Sequence, residues 1–171
     1  QVPAWDSLTK QQKRVYARFM EVYAAQLSYQ DAQFGRIMNE LDRMGIANNT
    51  LVLFIHGDNG SSAEGAASGT TNEMASISTG EHGIDVDWLA DHLDVLGGPD
   101  TYQGYQSGWA LATNTPFPYF KQVASHLGGA RNGMIISWPQ RIKQQGEIRS
   151  QYHHVIDVMP TLLEAAAIEA P

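Results

Sequence analysis

The stretch Leu51-Val-Leu-Phe-Ile-His-Gly-Asp-Asn-Gly60 constrains the fold more than any other part of this chain. Its apolar run, residues 51–55, lies between polar Asn48-Asn49-Thr50 and Gly57, and predicts a fully buried strand of a parallel sheet. The strand must stop at Gly57-Asp58-Asn59-Gly60. Polar side chains at the carboxyl end of a parallel strand sit where α/β folds bind their ligands. Asp58 and Asn59 offer hard oxygen donors, suited to Ca²⁺ or Mg²⁺ rather than to Zn²⁺. An Asn-Gly pair also makes a turn with no further purpose. On this stretch alone both readings stay open.

Which partners are excluded follows from charge and composition. The formal net charge is −7 and the isoelectric point about 5.2. No basic patch is available to neutralise phosphates, which argues against nucleic acid and against an acidic membrane surface. The chain has no Cys, so disulfides, thiolate metal sites and a cysteine nucleophile are absent from it. No apolar run reaches the length of a membrane span. The first residues, Gln-Val-Pro-Ala-Trp, lack the charge-then-apolar order of a signal peptide, and the absence of an initial Met suits a segment of a longer protein. At 171 residues the chain can form one domain with a core.

Thr9 followed by Gln12 fits a capping box, so a helix should begin there. Val15, Phe19, Val22 and Tyr23, then Phe34, Ile37, Met38 and Leu41, form a stripe at helical spacing. Gly35 inside this run implies a bend or a close neighbour, and Gly45 is a suitable residue to end the helix. Asp31 could make a buried polar contact with Arg36. A helix followed by a buried strand is a piece of an α/β sandwich. Gly133 to Trp138 reads as a second buried strand, stopped by Pro139. Phe120 to His126 could form a helical turn ending at Gly128-Gly129, approached by a rigid extended Asn114-Thr-Pro-Phe-Pro118. Tyr152 to Ala167 carries another apolar face, and Pro160 should split it into two short helical pieces.

Residues 61–110 are different in kind. Ser61 to Asn72 is small, polar and aperiodic, and only Glu81 to Leu96 suggests a short helix. A long irregular segment directly after a ligand-bearing strand end reads as a binding loop or as an inserted surface loop. Trp88, Tyr102, Tyr105 and Trp109 are candidate aromatic walls for a pocket there.

The ordered set of motifs resembles the carboxyl-terminal half of a type I sulfatase, near the bacterial arylsulfatases of the alkaline phosphatase superfamily. The motifs are Asp31-x-x-x-Gly35-Arg36, Gly45-x-x-x-Asn49-Thr50, Asp58-Asn59-Gly60, Gly108-Trp109-Ala110 and Asn114-Thr-Pro-Phe117. Lys121-Gln-Val-Ala-Ser-His126-x-Gly-Gly129, Trp138-Pro139 and Arg149-x-Gln-Tyr-His153-His154-Val-Ile-Asp157-Val-x-Pro160-Thr-Leu complete the set. The resemblance runs over nearly the whole chain. It implies a partial alkaline-phosphatase-like α/β sandwich, mostly parallel strands flanked by helices, with a long active-site loop. The chain is then a single segment, 1–171, of the sulfatase domain.

The resemblance further implies one divalent cation, Ca²⁺ or Mg²⁺, with Asp58 and Asn59 among its ligands, and Lys121 as a cation on a sulfate oxygen. The ligand would be a small-molecule sulfate ester, hydrolysed to phenol and sulfate. Charge develops on the bridging oxygen as the S–O bond breaks, and a metal with fixed cations stabilises it. His126, five residues after Lys121, could be a donor or general acid, or a structural residue before Gly128-Gly129. His153 and His154 with Asp157 read as a local pair at the start of a helix. His56 stands where the family commonly has Ser or Thr, and either adjusts the site or packs beneath it. Glu64, Glu73 or Asp85 could complete the metal site.

The family's nucleophile is a formylglycine in Cys/Ser-x-Pro-x-Arg, expected in an amino-terminal half that this chain does not include, as is a small carboxyl-terminal subdomain. Ser137-Trp-Pro-Gln-Arg141 fits that pattern literally, but it lies on a late strand, whereas the nucleophile should open a helix. The isolated chain is therefore expected to lack turnover. The alternatives are a phosphate or phosphonate ester hydrolase of the same superfamily, or a non-catalytic binding module whose exposed strand edges favour self-association. The natural substrate and the compartment are not legible.

Overall fold

The computed structural model describes residues 2–80 and 83–169. Among them are six α-helices and two strands, an α/β arrangement consistent with part of a sulfatase domain. The chain divides into two compact units, Gln1–Arg36 with Ile55–Gly133, and Ile37–Phe54 with Met134–Pro171. No helix among the described residues is long and apolar enough to cross a membrane.

The first unit is built on helix α1 (Lys10–Arg43), of 34 residues. Its start follows from the capping box: the Thr9 amide donates to Gln12 Oε1 at 2.9 Å and the Gln12 amide to Thr9 Oγ1 at 3.1 Å. The stripe then buries Val15, Tyr16 and Phe19 against Leu89, Ala90 and Leu96, with Val22, Leu93 and Tyr105 packed around them. Arg18 reaches across to the Leu93 and Leu96 carbonyls, both at 3.3 Å. The partners of α1 therefore come from residues 61–110. That segment is not a long irregular loop. It carries α2 (Glu73–Thr79), α3 (Val86–Asp91) and α4 (Ser107–Thr113), and it supplies half of the core. Asn72 caps α2 and Asp85 caps α3 through side-chain oxygens. Glu81 and His82, where the sequence suggests the second of these helices should begin, lie outside the described residues.

Two of the four aromatic wall candidates are half-buried and pack against other aromatic rings. Tyr105 meets Tyr23 edge-on at 5.1 Å, and Trp109 packs on Trp5 at 5.6 Å while its indole N–H donates to the Tyr16 carbonyl at 2.9 Å. Trp88 stacks on His92 at 4.3 Å, and Tyr102 is exposed.

In the second unit α1 ends as the sequence predicts. Gly45, at φ +70°, follows the helix, the Gly45 amide donates to Asp42 O at 2.9 Å and Ile46 to Leu41 O at 3.1 Å. The expected buried contact of Asp31 is not formed: Asp31 is exposed and Arg36 binds Gln33 at 2.6 Å. Strands β1 (Val52–Ile55) and β2 (Met134–Ser137) form a two-stranded sheet. Neither is fully buried as expected. β1 is half-buried with Ile55 exposed, and Ile135 and Ile136 of β2 are exposed, because two strands leave sheet surface uncovered. After β2, Trp138 donates to Asn49 Oδ1 at 3.2 Å and the Gln140 amide to Asn48 O at 2.8 Å. The Ser-x-Pro-x-Arg match thus runs from a strand into turns and opens no helix.

His154 and Asp157 form a capping box: the His154 amide donates to Asp157 Oδ2 at 2.8 Å, and His154 Nδ1 accepts from Ile156 at 3.3 Å. A one-turn 3-10 helix (Val155–Asp157) leads directly into α6 (Val158–Ala165). The break expected at Pro160 falls earlier, at Asp157, and Pro160 occupies the first turn of α6, where a missing N–H costs nothing.

Candidate anion and metal site

β1 hands the chain to Gly57 at φ +79°, and the turn 58–60 follows in the first unit. Asp58 is exposed and Asn59 half-buried. The Asn59 side-chain Nδ2 donates to Asp58 Oδ1 at 2.7 Å, so the two side chains are drawn together. What fixes this turn is backbone contact with residues 114–129. The Gly60 amide donates to Gly129 O at 3.0 Å, the Lys121 amide to Ser61 O at 3.0 Å and the Gly128 amide to Pro118 O at 3.0 Å. Asn114 ties both strands of this junction, accepting from the Ser61 amide at 3.1 Å and donating to Tyr119 O at 3.0 Å. A methyl group at Gly60 would overlap the Gly128 carbonyl, and one at Gly128 would overlap the carbonyls of Pro118 and Tyr119. Only glycine permits this approach.

The segment holding Lys121 departs from the expected helical turn. Tyr119 and Gln122 have φ of +66° and +76°, which a right-handed helix excludes, so the chain passes through turns. Helix α5 (Leu127–Ala130) then contains Gly128-Gly129 rather than ending before them. The approach 114–118 is folded rather than extended, with the Phe117 amide donating to Asn114 O at 2.9 Å.

Lys121 lies beside the turn after Asp58, and it arrives with a partner the sequence does not pair with it. Lys121 Nζ donates to Glu64 Oε2 at 2.8 Å. The other Glu64 oxygen accepts from Gln122 Nε2 at 3.1 Å, and the Ser62 hydroxyl donates to Oε2 at 2.7 Å. The Lys121 hydrogen bond, with Ser62 behind it, holds the Glu64 carboxyl below the ordinary carboxylate range. Lys121 is raised, first by that hydrogen bond and further by the charges of Glu64, Glu73 and Asp58. Asp58 is thus within electrostatic reach of Lys121. Glu73 is pushed up by burial and by its contact with Glu64.

Glu64 and Glu73, which sequence reasoning offers as spare metal ligands, are therefore engaged with a cation and with each other. Asp85 accepts from the Trp88 amide at 2.9 Å and serves as a helix cap. His126 precedes α5 without capping it through its side chain; its Nδ1 lies 3.0 Å from Ser125 Oγ and its ring packs on Tyr119 at 4.2 Å. His56 is exposed.

The donor set at 58–59 has the chemistry of a hard-cation site, one carboxylate and one amide oxygen. It falls short of the six to eight oxygens that Ca²⁺ takes. Among the described residues no group of three or more His, Asp or Glu side chains could hold a metal ion. Hard oxygen donors beside a held ammonium, at the end of a strand, suit a small oxyanion with an accompanying cation.

Comparison with known proteins gives the family of the chain. The sequence model of the Sulfatase family matches residues 3–168, and the chain belongs to that family. It is 30% identical over 167 residues to an arylsulfatase of Klebsiella aerogenes, covering 96% of this chain and 33% of that protein. It is 33% identical over 168 residues to an uncharacterized sulfatase of Schizosaccharomyces pombe, covering 98% of this chain and 28% of that protein. The chain spans about a third of the length of these curated relatives.

Proposed function

We propose that this chain supplies part of the active site of a sulfuric ester hydrolase acting on aryl sulfates. Asp58 and Asn59 would hold a divalent cation, Ca²⁺ or Mg²⁺, with further ligands from outside the described residues. Lys121 would bind a sulfate oxygen. The observation that carries this reading is the junction 58–64/114–129, where backbone hydrogen bonds hold the ammonium of Lys121 beside the turn bearing Asp58. Bound there, a cation would supply Lewis-acid stabilisation of a sulfate oxygen. Lys121 contributes fixed positive charge in a half-buried setting, where it acts more strongly than in open water. His126, the sequence candidate for a general acid, is engaged with Ser125 and Tyr119, which favours a structural role in the turn. The formylglycine nucleophile of the family has no place on these residues, so the 171-residue chain alone is expected to turn over no aryl sulfate.

The test is turnover of 4-nitrophenyl sulfate and 4-nitrophenyl phosphate by the complete reading frame that carries these residues. Sulfate should be the better substrate, and Lys121→Ala or Asp58→Ala should each lower its kcat/KM by about 10²-fold or more. Preference for the phosphate ester would assign the site to phosphate ester hydrolysis. Full activity in both variants would remove these residues from the site.

A further inference from the structure

The Glu64–Lys121 pair is built more carefully than a chance surface ion pair. We infer that Glu64 is a positioning residue of the sulfate site: its carboxylate fixes the Lys121 ammonium so that the remaining N–H donors meet a sulfate oxygen. This rests on the reading that Lys121 binds sulfate. The side chains are partly withdrawn from solvent, Glu64 at 17% and Lys121 at 33% exposure. Both oxygens of Glu64 are used, Oε2 by Lys121 at 2.8 Å and Ser62 at 2.7 Å, and Oε1 by Gln122 at 3.1 Å. The carboxylate cannot rotate without losing these contacts. The backbone beneath is fixed as well, since the Lys121 amide donates to Ser61 O at 3.0 Å and Gln122 is held at φ +76°.

A lysine side chain left free would sample many rotamers and would lose that freedom on meeting its ligand. The ammonium has three donors, and Glu64 takes one of them. Glu73 stands behind Glu64 and is shifted toward its neutral form by burial and by the Glu64 charge.

The sign of one measurement separates this role from a bystander carboxylate. A bystander repels an anion, so neutralising it should strengthen sulfate binding. A positioning residue should show the opposite. The experiment is trace acetylation of the full 171-residue chain with acetic anhydride, reading Lys121 by peptide mass spectrometry. It is run with sodium sulfate against sodium chloride of equal ionic strength, on wild type, Glu64→Gln and Glu64→Asp. Wild-type Lys121 should react slowly, and sulfate should slow it further. In Glu64→Gln the rate without sulfate should rise about fivefold as Lys121 loses its raised affinity for the proton, and half-protection should need about tenfold more sulfate. Glu64→Asp, which keeps the charge with a shorter reach, should fall between. An unchanged far-ultraviolet circular dichroism spectrum and melting temperature in Glu64→Gln separate local release from unfolding. Equal or better sulfate protection in Glu64→Gln overturns the inference while leaving Lys121 as a sulfate ligand. No sulfate-specific protection of the wild type overturns that reading and the inference together.

Discussion

Glu64 and Glu73 lie against one another, and their proton affinities are displaced in opposite directions, down for Glu64 and up for Glu73. The stability each contributes therefore has the opposite pH dependence. Glu64 stabilises the fold above the ordinary carboxylate value, and this contribution is lost as pH falls through its lowered value. Glu73 favours the fold below the ordinary carboxylate value, and loses that contribution as pH rises through its raised one. Glu73→Gln keeps the shape and cannot ionise. It should melt at a higher temperature than wild type at about pH 7, with the gap closing toward about pH 4. A constant gap in melting scans over that range would remove the buried charge of Glu73 as its cause. Asp58, Asn59 and Lys121 are legible in sequence as candidates, because the chemistry of each residue and its place in an ordered motif agree. The pairing of Glu64 with Lys121 is not, since 57 residues separate them and nothing local marks either as the partner of the other. His154 and Asp157 are legible for the converse reason, lying within one turn.

Among elements, α1 shows which signals survive. Its capping box, its buried stripe and its terminating Gly45 are all present, because a 34-residue helix repeats its pattern often enough to be read. The helices α2, α3 and α4 have six or seven residues each, too few to display a full period; the sequence suggests a short helix at 81–96, where α3 lies, and reads as loop around α2 and α4. The glycines within helices also divide by environment. A methyl group at Gly35 would meet nothing within 4 Å, so neither a close neighbour nor a crowded face demands glycine there. Gly35→Ala should stabilise the protein by about 0.5–1 kcal/mol in urea unfolding, from helix propensity alone. Gly128→Ala should be destabilising by more than that, since the methyl overlaps the carbonyls of Pro118 and Tyr119. A neutral Gly128→Ala would mean that the junction relaxes freely.

At the scale of the molecule, the buried apolar residues among those described, Val15, Tyr16, Phe19, Leu89, Ala90, Leu96 and Ala110, all fall in the first unit. In the second, Ile148, Tyr152, Val155 and Ile156 are exposed, the first at 97%. Local stability follows buried apolar contact. Native-state hydrogen exchange should therefore show the amides of α6 and β2 opening at lower free energy than those of α1 around Phe19. Equal protection across the two would contradict this. The α/β class was legible because the run 51–55 could form only a strand, whereas its depth of burial depended on neighbouring strands that the local pattern does not contain. The junction of Gly60 with Gly128 and Gly129 bears on the order of events in synthesis. On a ribosome that delivers the chain from its amino end, the turn bearing Asp58 emerges long before its clamp. Until Gly129 has cleared the exit tunnel the turn lacks its backbone partner, so the junction closes only after both segments have been delivered.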